Sequence, residues 1–132
     1  MPLTLEIVTP ERRVLSVTTD EVRAAGTQGG FGVRQDHEPF MTALDPGRLT
    51  YVEGGREHHY AVGGGFLQVA DNRVIVLADT AESAEAIDVA RAKRAFEEAQ
   101  EHLLKMTEQD ESYAIQAARL RRATARLHVA GQ

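Results

Sequence analysis

The sequence contains no cysteine and no tryptophan, and aromatic residues make up only 5% of its 132 positions. Zero cysteine excludes disulfides, thiolate nucleophiles and cysteine-ligated zinc, and it fits a reducing compartment. No apolar run approaches the ~20 residues needed to cross a bilayer, so no transmembrane insertion is expected. The first residues, Pro2 to Glu6, lack a basic segment followed by an apolar one, so neither a signal nor a transit peptide is expected. A net charge of −5 argues against general nucleic-acid affinity. Acids are themselves missing from one place. Between Tyr113 and Gln132 stand Arg119, Arg121, Arg122 and Arg126 with no carboxylate among them, whereas the stretch from Glu97 to Glu111 is rich in acids. An acidic chain thus ends on a basic segment.

What is present reads as a β unit followed by an α unit. Leu3, Leu5 and Ile7 alternate with Thr4 and Glu6, the period of a half-buried strand. Further short strands are predicted over residues 13–18, 21–25, 40–44, 48–52, 57–62, 66–70 and 73–78. Turn signals separate them at Thr9-Pro10, Gly29-Gly30, Asp45-Pro46-Gly47, Glu53-Gly54-Gly55 and Asp71-Asn72. Short strands joined by tight turns, with no helix between, favour an antiparallel sandwich or barrel. After Asp79 the period changes. Ala92, Phe96, Ala99, Leu103 and Met106 recur at helical steps, and Asp88 is placed to cap a helix running to about residue 106. Residues 107–111 read as a turn, with Asp110 or Ser112 capping a second helix to about residue 128. On that helix Tyr113, Ala117, Leu120, Thr124 and Leu127 share one face. Both stripes are rich in alanine, so the hairpin is expected to dock weakly, each buried methylene contributing only ~0.8 kcal/mol.

Few residues carry chemistry of their own. Gly29 to Val33 is glycine-rich but lacks the Lys-Ser/Thr ending of a phosphate loop, so its glycines read as turn residues. His58 and His59, adjacent in a strand, point to opposite faces, and with His37 they make no metal set. Asp79, Glu82 and Asp88 lie close in sequence, but no nucleophile and base accompany them. Caps and turn hydrogen bonds explain them better. No catalytic residue and no metal ligand is assigned.

The run from Ala61 to Ala92 resembles the ε subunit of F-type ATP synthases. The resemblance is carried by Ala61-Val62, Gly64 to Leu67, Val69, Asn72, Val74, Val76 to Glu82, Ile87-Asp88 and Arg91-Ala92. Upstream, Gly29, Gly32, His37, Pro39, Ala43-Leu44, Pro46-Gly47 and Leu49 extend it, so that it covers Ile7 to Leu127. One stretch departs from the pattern. The family's Pro-Gly before His37 is Gln35-Asp36, its following alanine is Glu38, and Arg34 adds a charge.

The resemblance implies a ten-stranded antiparallel β-sandwich, as two five-stranded sheets over residues 1–84, followed by a two-helix antiparallel hairpin over residues 85–132. It implies a non-catalytic central-stalk rotor subunit of a proton- or sodium-translocating synthase. The sandwich would bind the γ subunit and the membrane rotor ring, the ring through a loop containing Gly29, Phe31, Gly32, His37 and Pro39. The hairpin would extend to the α/β catalytic head and impede ATP hydrolysis through a basic face of Arg119, Arg122 and Arg126. No cofactor is required, but the motif opening the first helix implies a regulatory ATP held by Glu82, Ile87, Asp88, Arg91, Ala92, Arg122 and Arg126. The alternative is an Asp88 cap with a first-turn ion pair and a basic face for protein docking. Glu98 stands where a further arginine is expected. The implied location is peripheral, on the cytoplasmic face of the bacterial plasma membrane, with the chloroplast thylakoid as the second choice.

Overall fold

The computed structural model describes residues 2–132. Ten strands come first: β1 (Leu3–Val8), β2 (Arg13–Thr19), β3 (Glu21–Gly26), β4 (Gly29–Arg34), β5 (Phe40–Leu44), β6 (Gly47–Glu53), β7 (Arg56–Val62), β8 (Gly65–Ala70), β9 (Arg73–Ala78) and β10 (Ala81–Ser83). A short 3-10 turn (Ala84–Ala86) leads to helices α1 (Val89–Leu104) and α2 (Tyr113–Val129). The alternation in β1 is realised directly, with Leu3, Leu5 and Ile7 buried and the residues between them half-buried. Their side chains meet Val22, Val33, Leu49, Leu67, Val69, Val74 and Val76 in one core fed by both layers. Fully burying each such side chain contributes about 1.5–3 kcal/mol, and this cluster holds the sandwich together.

The strands follow one hydrogen-bonded order, β10-β7-β6-β3-β5-β8-β9-β1-β2, with β4 paired to β3. The two layers are therefore not separate five-stranded sheets. Strand β3 joins them, pairing with β6 through Glu21, Val22 and Arg23 and with β5 through Gly26 and Leu44. One pair in the otherwise antiparallel sandwich departs from that pattern. Strands β1 and β9 run parallel, Leu5 opposite Val74. They are distant in sequence, so no tight turn dictates their direction.

Two strands escaped the sequence pattern. Gly29-Gly30 opens β4 rather than forming a turn, and Thr27-Gln28 make the turn instead, between paired Gly26 and Gly29. With glycine at three of its six positions, β4 shows little alternation. Strand β10 has only three residues, Ala81, Glu82 and Ser83, paired with Val62, Ala61 and Tyr60. The Asp71-Asn72 turn forms as expected, both residues having positive φ.

Helix α1 buries Ala92 and Ala99 on the predicted face, with Phe96 and Leu103 half-buried; it ends at Leu104, and the half-buried Met106 lies just beyond it. Helix α2 uses its predicted face only in part, with Tyr113, Ala117, Leu120 and Leu127 half-buried. Thr124 is exposed, and the buried residues are Ala123, Ala125 and Val129. Packing against α1, β6 and β7 at once rotates the apolar face toward small residues. Neither proposed cap bonds α2 through its side chain: Ser112 makes no such bond, and Asp110 accepts from the Thr107 N–H at 2.9 Å.

Candidate functional site

Helix α1 starts where Asp88 takes an extended conformation and its Oδ1 accepts the Arg91 N–H at 3.1 Å. That cap fixes the first turn beside β10, and the hairpin then returns along the sandwich with α2 against β6 and β7. Between sandwich and hairpin lies a cavity of about 770 Å³. Glu82, Asp88, Arg91, Ala92, Arg122 and Arg126 all border it. Ile87 does not. It is buried with Ala61 and Val129 in a small apolar cluster that seats the C-terminal end of α2.

The cavity is highly charged but nearly balanced. Six guanidinium groups (Arg12, Arg91, Arg94, Arg119, Arg122, Arg126) face five carboxylates (Glu11, Asp79, Glu82, Asp88, Glu98). Arg126 Nε donates to Glu82 Oε1 at 2.5 Å, and Arg119 Nη2 donates to Glu98 Oε2 at 2.6 Å. Arg122 forms no ion pair among the described residues. A Cβ built on Gly63 would collide with Thr80 Oγ1 and stand 3.1 Å from Arg122 Cδ, so the absent side chain leaves room for the arginine stem. The first-turn ion pair expected of Asp88 is not formed among the described residues; only the cap is. Such a cavity offers forked donors to phosphate oxygens, but an anion must compete with internal carboxylates for two of them.

Arg12 and Arg94 were not among the sequence-predicted site residues. Arg94 lies one turn from the Arg91 motif and was legible as a neighbour. Arg12 reaches the cavity from the β1–β2 turn, which no local pattern announces.

The predicted ring-contact residues lie along one strand and in the loop that follows it. Gly29, Phe31 and Gly32 are on β4, while His37 and Pro39 are in the β4–β5 loop. Phe40 packs edge-on against Phe31 at 5.3 Å and His37 at 6.0 Å between centroids. The His37 Nδ1–H donates to the Glu38 carbonyl at 2.7 Å. Two of the unexpected charges have partners within the chain. Arg34 lies 3.6 Å from Glu21, and Asp36 is bonded to Asn72.

His58 and His59 separate as their spacing requires. His58 stacks on Tyr51, and His59 shares a 2.8 Å hydrogen bond with the Thr50 hydroxyl. Glu57, beside His59, accepts a hydrogen bond from Arg23, which holds its carboxyl below the ordinary value. No group of three or more metal-ligating side chains occurs among the described residues.

A further surface was invisible as a motif. Phe66 pairs with Ala43 and Leu77, and Met41 sits beside them across from Gln68. Met41, Phe66 and Leu77 are 68%, 56% and 55% exposed and share one face of these strands. The strip lies on β5, β8 and β9, away from the strands that α2 covers.

Comparison with known proteins agrees with this architecture. The delta/epsilon-chain β-sandwich domain of ATP synthases matches residues 2–84, and the long α-helix domain of the same chains matches residues 85–131. The ATP synthase epsilon chain of Anaeromyxobacter dehalogenans is 77% identical over the full length of both chains. That of Myxococcus xanthus is 47% identical, covering 97% of this chain and 94% of its own. A chain in the Euglena gracilis mitochondrial ATP synthase OSCP/F1/c-ring structure superposes with a TM-score of 0.81 at 26% identity, over 99% of this chain and 82% of that one. A Tetrahymena thermophila central stalk/c-ring chain shares the fold, with a TM-score of 0.64 at 15% identity over 96% of this chain and 93% of that one. The chain belongs to the ATP synthase delta/epsilon family, as an epsilon-type stalk subunit and not one of the catalytic chains.

Proposed function

We propose that this subunit links the γ shaft to the membrane rotor ring through its sandwich and restrains ATP hydrolysis through its hairpin. The observation that carries the first half is the exposed Met41–Phe66–Leu77 strip. It is apolar and built on paired strands of the sandwich, which suits a permanent rotor partner such as γ. The Phe31–Phe40 surface, with Gly29, Gly32, His37 and Pro39, would meet the ring. Its polar loop around Arg34, Asp36 and Glu38 suits a ring with complementary polar loops.

The regulatory half rests on charge. A segment with four arginines and no acid prefers an acidic surface, and the catalytic head would supply one when the hairpin extends. The cavity bordered by Glu82, Asp88, Arg91, Arg122 and Arg126 would take ATP in the folded state. No described helix is long and apolar enough to cross a membrane. The subunit would sit peripherally on the cytoplasmic face, and its coupling ion is set by the ring, whether proton or sodium.

Co-purification with γ tests the central claim. Phe66→Asp and Leu77→Asp should abolish capture of γ while leaving the circular dichroism spectrum unchanged, because both side chains point outward. Capture that survives both substitutions would refute the strip as the γ surface.

A further inference from the structure

The three arginines assigned to inhibition face the chain's own sandwich and first helix in this structure. Arg126 is held by Glu82 of β10 and Arg119 by Glu98 of α1, and the stem of Arg122 lies over Gly63. The first two pairs are widely separated in sequence, by 44 and 21 positions, so tertiary docking alone brings them together. The fully buried residues of α2 beside them are small, Ala123, Ala125 and Val129, of which Val129 packs with Ala61 and Ile87, and Tyr113, Leu120 and Leu127 are only half-buried. Packing of this size leaves the ion pairs a large share in holding α2 down.

We infer that Glu82 and Glu98 form a two-point electrostatic latch, each occupying an arginine that α2 would otherwise present to an acidic partner. Glu98 matters most here. A cation at that position would repel Arg119, so the hairpin would need an external anion to close; with Glu98 present, the chain closes on its own carboxylate. Folded and extended states then compete for the same guanidinium groups. Release costs only the exchange of one carboxylate for another. The latch is a property of the isolated chain, but its effect on hydrolysis rests on the inhibitory reading above.

An arginine substitution cannot test this, since it removes latch and inhibitor together. Glu82→Gln and Glu98→Gln keep shape and arginines while removing the charge. Hydrogen exchange of the full-length protein should show α2 amides exchanging roughly two- to fivefold faster in either variant, the range for partly exposed pairs. The β1 and β9 amides should be unchanged. The double exchange Glu98→Arg with Arg119→Glu restores opposite charges and should return α2 to wild-type protection, a rescue that loss of packing would not give. In the assembled synthase, Glu98→Gln should hydrolyse ATP more slowly than wild type, because the hairpin is freed with its arginines intact. Unchanged α2 exchange in both Gln variants, or no rescue by the charge swap, would overturn the latch. Faster exchange with unaltered hydrolysis would keep the latch and overturn the inhibitory reading instead.

Discussion

Asp36 and Asn72 hold each other across two turns. The Asn72 Oδ1 accepts the Asp36 N–H at 2.6 Å, and the Asn72 amide donates back to Asp36 Oδ1 at 3.2 Å. Both residues are left-handed, with φ of 65° and 61°. The resemblance puts glycine where this chain has Asp36, and the pairing explains how a larger residue fits there. Asp and Asn enter that region more readily than other side-chain-bearing residues, and here each fastens the other's turn.

The pairing makes Asn72 more sensitive than Asp36. Asn72→Ala forces alanine into the left-handed region and removes both bonds, so it should cost about 1–2 kcal/mol in denaturant unfolding. Asn72→Gly should recover most of that through backbone freedom. Asp36→Gly should change stability by less than about 1 kcal/mol, because glycine suits the conformation and the N–H to Asn72 survives.

Truncation separates the two halves. The main core draws on β1 to β9 and reaches no further than Ala81, so deletion of everything after Met106 should leave the sandwich with a cooperative melt. A synthase assembled with the truncated subunit should still make ATP, and its hydrolysis should rise. Equal hydrolysis by intact and truncated complexes under all nucleotide and salt conditions would remove the inhibitory role.

Nucleotide binding has a calorimetric signature. ATP should bind the isolated protein with heat, Arg91→Ala or Arg126→Ala should weaken it, and at 100 times Kd it should stabilise the fold by about 2.7 kcal/mol. No heat and no melting shift at saturating ATP would leave Asp88 as a cap alone.

Within the hairpin, Gln116 keeps its Oε1 buried without a partner. An unsatisfied buried polar atom costs about 1–3 kcal/mol, so Gln116→Leu should stabilise the folded hairpin and slow exchange of the α2 amides. A destabilised variant would mean that the amide is satisfied in solution.

Two tyrosines contribute to stability at alkaline pH. Burial pushes the Tyr51 and Tyr60 phenols above their ordinary value of 10.0. The unfolded chain loses those protons first as pH rises. Their stabilising contribution is therefore complete below about pH 10 and is lost as pH rises through the folded values. Phenolate absorbance should appear late and together with unfolding. Tyr60→Phe should delay the transition.

Much of the fold was legible in local pattern. Strand β1 follows alternation and β9 a short apolar run bounded by turns, the Asp71-Asn72 turn follows from its residues, and the Asp88 cap and α1 stripe follow helical spacing. Strand β4 was hidden because glycine carries no face, and β10 because three residues are too few to show a period. The buried face of α2 depends on three neighbours at once, and its alanines are equally plausible on any side. At the site, spacing identified which arginines share a face but not what they touch. Glu98 looked like a defect in a binding motif, and only tertiary contact shows it as the partner of Arg119.

The parallel pairing of β1 with β9 also orders events in time. Leu5 finds Val74 only after almost all of the sandwich has been synthesised, and parallel contacts of such long sequence separation form slowly. While the ribosome is still making β8, β1 has one open edge and an unfilled core beneath Leu3, Leu5 and Ile7. The first segment to emerge is thus among the last to be locked, and only the short β10 separates the strand that completes it from the junction to the hairpin. A nascent chain stalled before Arg73 should be protease-sensitive throughout, whereas one stalled once α1 has emerged should already carry a closed sandwich.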